Sequence, residues 1–182
     1  MIADTFFALL NSDRVTEPTR KVLLNRLTET TDSSAFFTVE EFALLRAVTD
    51  CLTAQPAEAR LADVATMIDN RLAAQTGPGW RFDELPTDGT AYQIGLKGIS
   101  ESVLLLYHKN FTDLSREEQN NLLKTVQQGN APGETWKTFP ATRFFELMLT
   151  ETAEHFYSHP AAQQEINYTG FADAQGWQVP IL

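Results

Sequence analysis

The residues with the clearest capacity for chemistry lie near the end of the chain, in ETAEHFYSHP, where Glu151, His155 and His159 recur at intervals of four. On a helix that spacing puts all three on one face, and histidines at i and i+4 are a real metal-ligand geometry. Against this, His159 precedes Pro160, which disfavours helical backbone at the histidine. Polar and cationic side chains are also favoured at a helix C-terminus for electrostatic reasons alone. A dinuclear bundle site would need further Glu and His helices, and the sequence offers none in register.

Other catalytic signatures are missing. His108 follows Tyr107 with no serine or cysteine in a nucleophile turn, and no GxSxG elbow occurs. Gly89, Gly95 and Gly98 have the wrong spacing for a dinucleotide fingerprint and follow no strand, and there is no P-loop. Carboxylates are plentiful but unpaired, which is the pattern of a solvated surface. The expectation is therefore no catalytic residue, no cofactor-binding residue and no metal ligand, with a metal enzyme built on His155 and His159, or a homo-oligomeric helical scaffold, as the alternatives.

The elements that would position these residues are helical. TEPTRKVLLNRLTETT, residues 16 to 31, places Val22, Leu23 and Leu27 on one side, with Pro18 in the first turn where proline is tolerated. Thr38 and Glu41 form a capping box ahead of Phe42, Leu45, Val48 and Leu52. Residues 61 to 75 carry Leu61, Val64, Ile68 and Leu72 on one face, and a longer segment from about Thr90 to Lys109 aligns Tyr92, Leu96, Ile99, Val103, Leu106 and Tyr107. Gly95 and Gly98 weaken that helix locally and predict close packing by a neighbour. Ser115 and Glu118 form a second capping box for a helix closed by Gly129, and residues 141 to 158 are apolar nearly all round between Phe144 and Leu149. No alternating run or hairpin signal predicts a strand. The predicted fold is an all-α single domain of about six helices with long aromatic-bearing loops: a helical extension over 1–37, a helical core over 38–160, and an irregular aromatic tail over 161–182.

The 182 residues allow a self-sufficient core, since a chain of this size buries about 70% of its surface on folding. Lys and Arg number 14 against 24 Asp and Glu, a formal charge of −10 that disfavours nucleic acid and anionic lipid as partners. Cys51 stands alone, which excludes a disulfide framework and a cysteine-based metal site within the chain. No leader is visible at the start and no apolar run is long enough to span a bilayer, so the reading is cytoplasmic as written with no membrane insertion, or periplasmic if the chain is exported with a partner or a leader was removed.

All three tryptophans fall outside the predicted helices: Trp80, Trp136 and Trp177. Large aromatics on loops need something to cover them, either their own core or a partner. The closing stretch NYTGFADAQGWQVPIL adds Tyr168 and Phe171, and its glycines allow it to wrap a surface.

In order, TVEEFALLRAVTDCLTAQ, LADVATMIDNRLA, YQIGLKGISE, FTDLSREEQNNLLKTVQQG and FFELMLTETAEHFYSHP with a Gly-Trp tail resemble the gluconate 2-dehydrogenase subunit 3 family. The resemblance implies a non-catalytic accessory chain that assists the folding, stability or export of a large FAD-dependent glucose-methanol-choline-type dehydrogenase subunit, in a complex that can include a cytochrome c subunit. Many members carry a twin-Arg leader, which this sequence does not show. On that reading Trp80, Trp136, Tyr168, Phe171 and Trp177 form the partner interface, together with Phe144 and Phe145 of the last long helix.

Overall fold

The computed structural model describes residues 4–28, 34–77, 79 and 82–168, apart from the side chain of Thr5. Among these residues there are eight α-helices, two short 3-10 turns at Phe111–Asp113 and Thr135–Lys137, and no strand. The helices are α1 (Asp4–Leu10), α2 (Glu17–Arg26), α3 (Val39–Leu52), α4 (Val64–Ala73), α5 (Asp88–Tyr107), α6 (Arg116–Gln127), α7 (Ala141–Ser158) and α8 (Pro160–Glu165). Both capping boxes form: Thr38 accepts from the Glu41 N–H ahead of α3, and Ser115 from the Glu118 N–H ahead of α6, with each glutamate returning to the cap backbone. Asp63 caps α4, which accordingly begins three residues later than the apolar pattern implied.

α3, α5 and α7 carry the main core. Leu45, Val48, Tyr92, Leu96, Ile99 and Phe144 are fully excluded from solvent there, with α4 and α6 closing the sides. The two glycines of α5 act as notches. A Cβ on Gly95 would lie 2.2 Å from the Phe144 ring, and one on Gly98 would lie 2.5 Å from the Trp136 indole. The expected close neighbours are thus side chains from α7 and from the 3-10 turn that precedes it.

A second, smaller core lies outside this bundle. Phe6, Leu10, Val15 and Leu23 bury one another between α1 and α2. Val22 does not join them: at 48% exposure it faces solvent, contrary to the pattern read from residues 16 to 31. The pair is fastened to the bundle by α8, where Arg26 Nη1 donates to the Ser158 carbonyl (2.9 Å) and His159 Nε2 lies 3.0 Å from the Arg26 carbonyl.

α8 itself corrects the reading of 161–182 as irregular from its start. Pro160 occupies the first position of a helix that His159 caps, so the proline begins an element there.

Candidate functional site

Of the three residues spaced four apart, α7 sends only the first into the interior. Glu151 meets Arg71 of α4 in a two-pronged pair, Nε to Oε1 and Nη2 to Oε2 (2.9 Å), and accepts from the Tyr92 hydroxyl of α5 at 2.8 Å. Arg71 also donates through Nη1 to Asp88 Oδ2 (2.8 Å) and to the Thr76 carbonyl (2.9 Å). His155 follows one turn after Glu151, with Nε2 at 3.5 Å from Oε1.

Burial would push the Glu151 carboxyl up, but hydrogen bonds from His155 and Arg71, the guanidinium charge and the Tyr92 hydroxyl outweigh it and hold the group below its ordinary range. Burial would likewise lower Arg71, yet Glu151 and Asp88 raise it. Tyr92 is driven well up, first by burial and then by the adjacent Glu151 charge. A carboxylate locked in its charged form by three donors is poorly suited to moving protons. Its effect is to tie α4, α5 and α7 together.

His159 is placed differently. It is buried at the α7–α8 junction, where Nδ1 accepts from the Ala161 N–H (3.2 Å) and Nε2 is directed at the Arg26 carbonyl. These partners require the neutral ring with its proton on Nε2, and leave neither nitrogen open to an ion in this arrangement. The backbone is extended at His159, so it does not continue the face that carries Glu151 and His155. Among the described residues no group of three His, Cys, Asp or Glu could hold a metal ion.

A second buried carboxylate has no counterpart in the sequence reading. Asp69 of α4 accepts from the Ser34 hydroxyl (2.5 Å) and from the backbone N–H groups of Ala35 (2.6 Å), Phe36 (3.1 Å) and Phe37 (3.1 Å). Burial works against its charge, but these four donors prevail and hold it below the usual carboxylate range. The loop leading into α3 is thereby folded around one side chain of α4. Beside it an open groove of about 1080 Å³ runs past Phe36, Leu72, Arg71, Thr76 and Asp88.

The aromatic candidates divide. Phe144 is fully buried and Phe145 nearly so, which makes them core residues of this chain. Trp136 is half-buried against Phe139 and Phe144, with ring centroids 6.3 Å from each, and its Nε1 donates to Ser102 Oγ (2.8 Å). Tyr168 is half-buried just past α8, its N–H bonded to the Gln163 carbonyl at 2.8 Å. Trp80, Phe171 and Trp177 lie outside the described residues.

One feature departs from the helical register read for residues 90 to 109. Leu104, Leu105 and Leu106 stand 61%, 58% and 47% exposed on the last turn of α5. Leu106 was expected to continue the buried face of Leu96, Ile99 and Val103, but on this turn Tyr107 is the residue that packs against the main core, and the leucines face away from it. Three consecutive leucines were visible in the sequence, and their run around the helix was the available signal.

The family model described as gluconate 2-dehydrogenase subunit 3 matches residues 39–173, from the start of α3 to beyond the end of α8. No curated protein and no solved structure matches the chain. No helix among the described residues is long and apolar enough to cross a membrane.

Proposed function

Because the chain belongs to the gluconate 2-dehydrogenase subunit 3 family, we propose that it is a non-catalytic small subunit that binds and stabilises the catalytic subunit of a flavin-dependent sugar or polyol dehydrogenase. The family match over residues 39–173 carries this reading. The use of the ionisable residues within that span supports it: Glu151, Arg71, Asp69 and His159 are each saturated by contacts that hold helices or loops in place.

On this reading FAD, the substrate site and the proton-transferring base belong to a large glucose-methanol-choline-type subunit, and a cytochrome c subunit can complete the complex. The small chain's compartment is that of the partner it accompanies. Trp136, Tyr168, Phe171, Trp177 and Trp80 remain the aromatic candidates for contact, while Phe144 and Phe145 act from within by fixing the shape of α7.

Co-expression with a glucose-methanol-choline-type dehydrogenase subunit from the same organism should give a stable heterodimer. Equal solubility and activity of the large subunit alone, with separate elution, would defeat the proposal. Within the complex, Trp177→Ala should weaken association about ten-fold or more while shifting the melting temperature of the lone chain by only a degree or two. A large loss of stability in the lone chain with unchanged association would make the tail a cover for its own core.

A further inference from the structure

We infer that His159 is an acid-sensitive clasp: neutral, its ring holds α2 and α8 together, and protonated it keeps α2 and releases α8. The inference stands on the geometry of this chain and does not require the accessory-subunit reading.

The ring is only 7% exposed and both of its nitrogens are engaged. Nδ1 accepts from the Ala161 N–H (3.2 Å) and so caps α8, a helix of six residues. Nε2 donates to the carbonyl of Arg26 (3.0 Å), the last residue of α2. One side chain thus serves two elements with one acceptor and one donor. Only the neutral ring has both, because the imidazolium carries two donors and no acceptor.

A proton on Nδ1 would set N–H against N–H at Ala161. At Nε2 nothing is lost, since the bond to the Arg26 carbonyl is kept and gains charge assistance. Protonation therefore discriminates between the two contacts: the link to α2 survives and the cap of α8 fails. A helix this short depends on its cap, and Pro160 at its first position brings no N–H of its own. Tyr168, whose N–H is held by the Gln163 carbonyl of α8 (2.8 Å), loosens with it.

The charged groups on the surrounding elements decide the direction. On α2 the Arg26 guanidinium binds the carbonyl of Ser158, the residue before the ring, and opposes a second cation there. Arg20 is taken up by the carbonyls of Leu10 and Val15, while Glu17 and Lys21 are exposed. On α7 Glu151 is engaged by Arg71 and Tyr92, His155 Nε2 lies 3.5 Å from Glu151, and Glu154 is exposed. Glu165 at the far end of α8 is exposed as well. The C-termini of α2 and α7 attract a cation, and the contact they strengthen is the Nε2 one that survives. Burial, Arg26 and the N-terminus of α8 all favour the neutral ring. Its hold on α8 is therefore complete above the ordinary histidine range, near about pH 6.5, and is lost as pH falls below it.

The test is amide exchange of the full chain at about pH 7.5 and about pH 5.5, corrected for intrinsic rates, with the imidazole 15N shifts of its three histidines followed over the same range. At the higher pH His159 should be neutral with its proton on Nε2. On acidification the protection of the Gln163, Ile166 and Tyr168 amides should fall roughly ten-fold with the midpoint of the His159 titration, while α1–α2 and the core helices α3, α5 and α7 keep theirs. His159→Asn supplies a capping oxygen that does not titrate and should abolish the pH dependence of α8. His155→Gln should leave it in place. Constant protection of α8 across the range, a loss that follows His108 or His155, opening of α1–α2 ahead of α8, or pH dependence that persists in His159→Asn each overturns the inference. If that variant does not fold, the parent's own titration decides.

Discussion

Asp69 shows what one side chain can organise. Four donors converge on a carboxylate with no solvent exposure, and three of them are backbone N–H groups ahead of α3, of which only that of Phe37 has a second acceptor, Ser34 Oγ at 2.7 Å. Asn in its place keeps one acceptor and turns an amide NH2 toward donors. Asp69→Asn should therefore cost about 2–4 kcal/mol at neutral pH. Because the folded carboxyl is held below its ordinary value, its contribution is fully present above about pH 4 and is lost as pH falls through the depressed native value. Denaturant titrations should show a constant gap between parent and variant from pH 6 to 8, narrowing below pH 4. A gap that widens in acid would refute the assignment. None of this was legible in the sequence, where Asp69 reads as a polar position on an amphipathic helix; its partners lie more than thirty residues earlier. The same limit hid the Glu151 network: the spacing of Glu151 and His155 was visible, but Arg71 and Tyr92 arrive from two other helices.

At the scale of elements, local chemistry was a good guide where it was self-contained. The two capping boxes and residues 141 to 158 formed as their sequences implied, since cap and partner lie within four residues of each other. The register failed where burial depended on what was absent from the window: Val22 faces outward because the small core takes only Leu23 from that helix, and Leu106 because its neighbour Tyr107 takes the core side of that turn. The notches of α5 combine both levels. Gly95 was legible as a close approach, and Phe144 as its occupant was not. Gly95→Ala would gain helix propensity of about 1 kcal/mol but force a methyl into a fully buried ring, with a net loss of about 1–3 kcal/mol. Pairing it with Phe144→Leu should recover part of that loss in a double-mutant cycle. Strict additivity of the two substitutions would show that the contact is not the cause.

At the scale of the whole molecule, the described residues form two cores of unequal size joined through Arg26 and His159. The pair α1–α2 buries four apolar side chains, which is too few to hold it folded alone, and it depends on Arg26 and His159 to stay docked. Arg26→Met keeps the side-chain stem but removes the bond to the Ser158 carbonyl. Amide exchange over Asp4–Arg26 should then quicken roughly ten-fold while protection in α3, α5 and α7 is unchanged. A uniform change across the chain would mean that the two cores unfold as one.

The Asp69 contact also ties the stability of one segment to that of another. Loop 34–37 holds its shape against a carboxylate more than thirty residues later on α4, so an opening that carries α4 away leaves the Ala35 and Phe36 N–H groups without this acceptor. The protection of those two amides from exchange is therefore set by α4, whereas α3 starts on its own capping box.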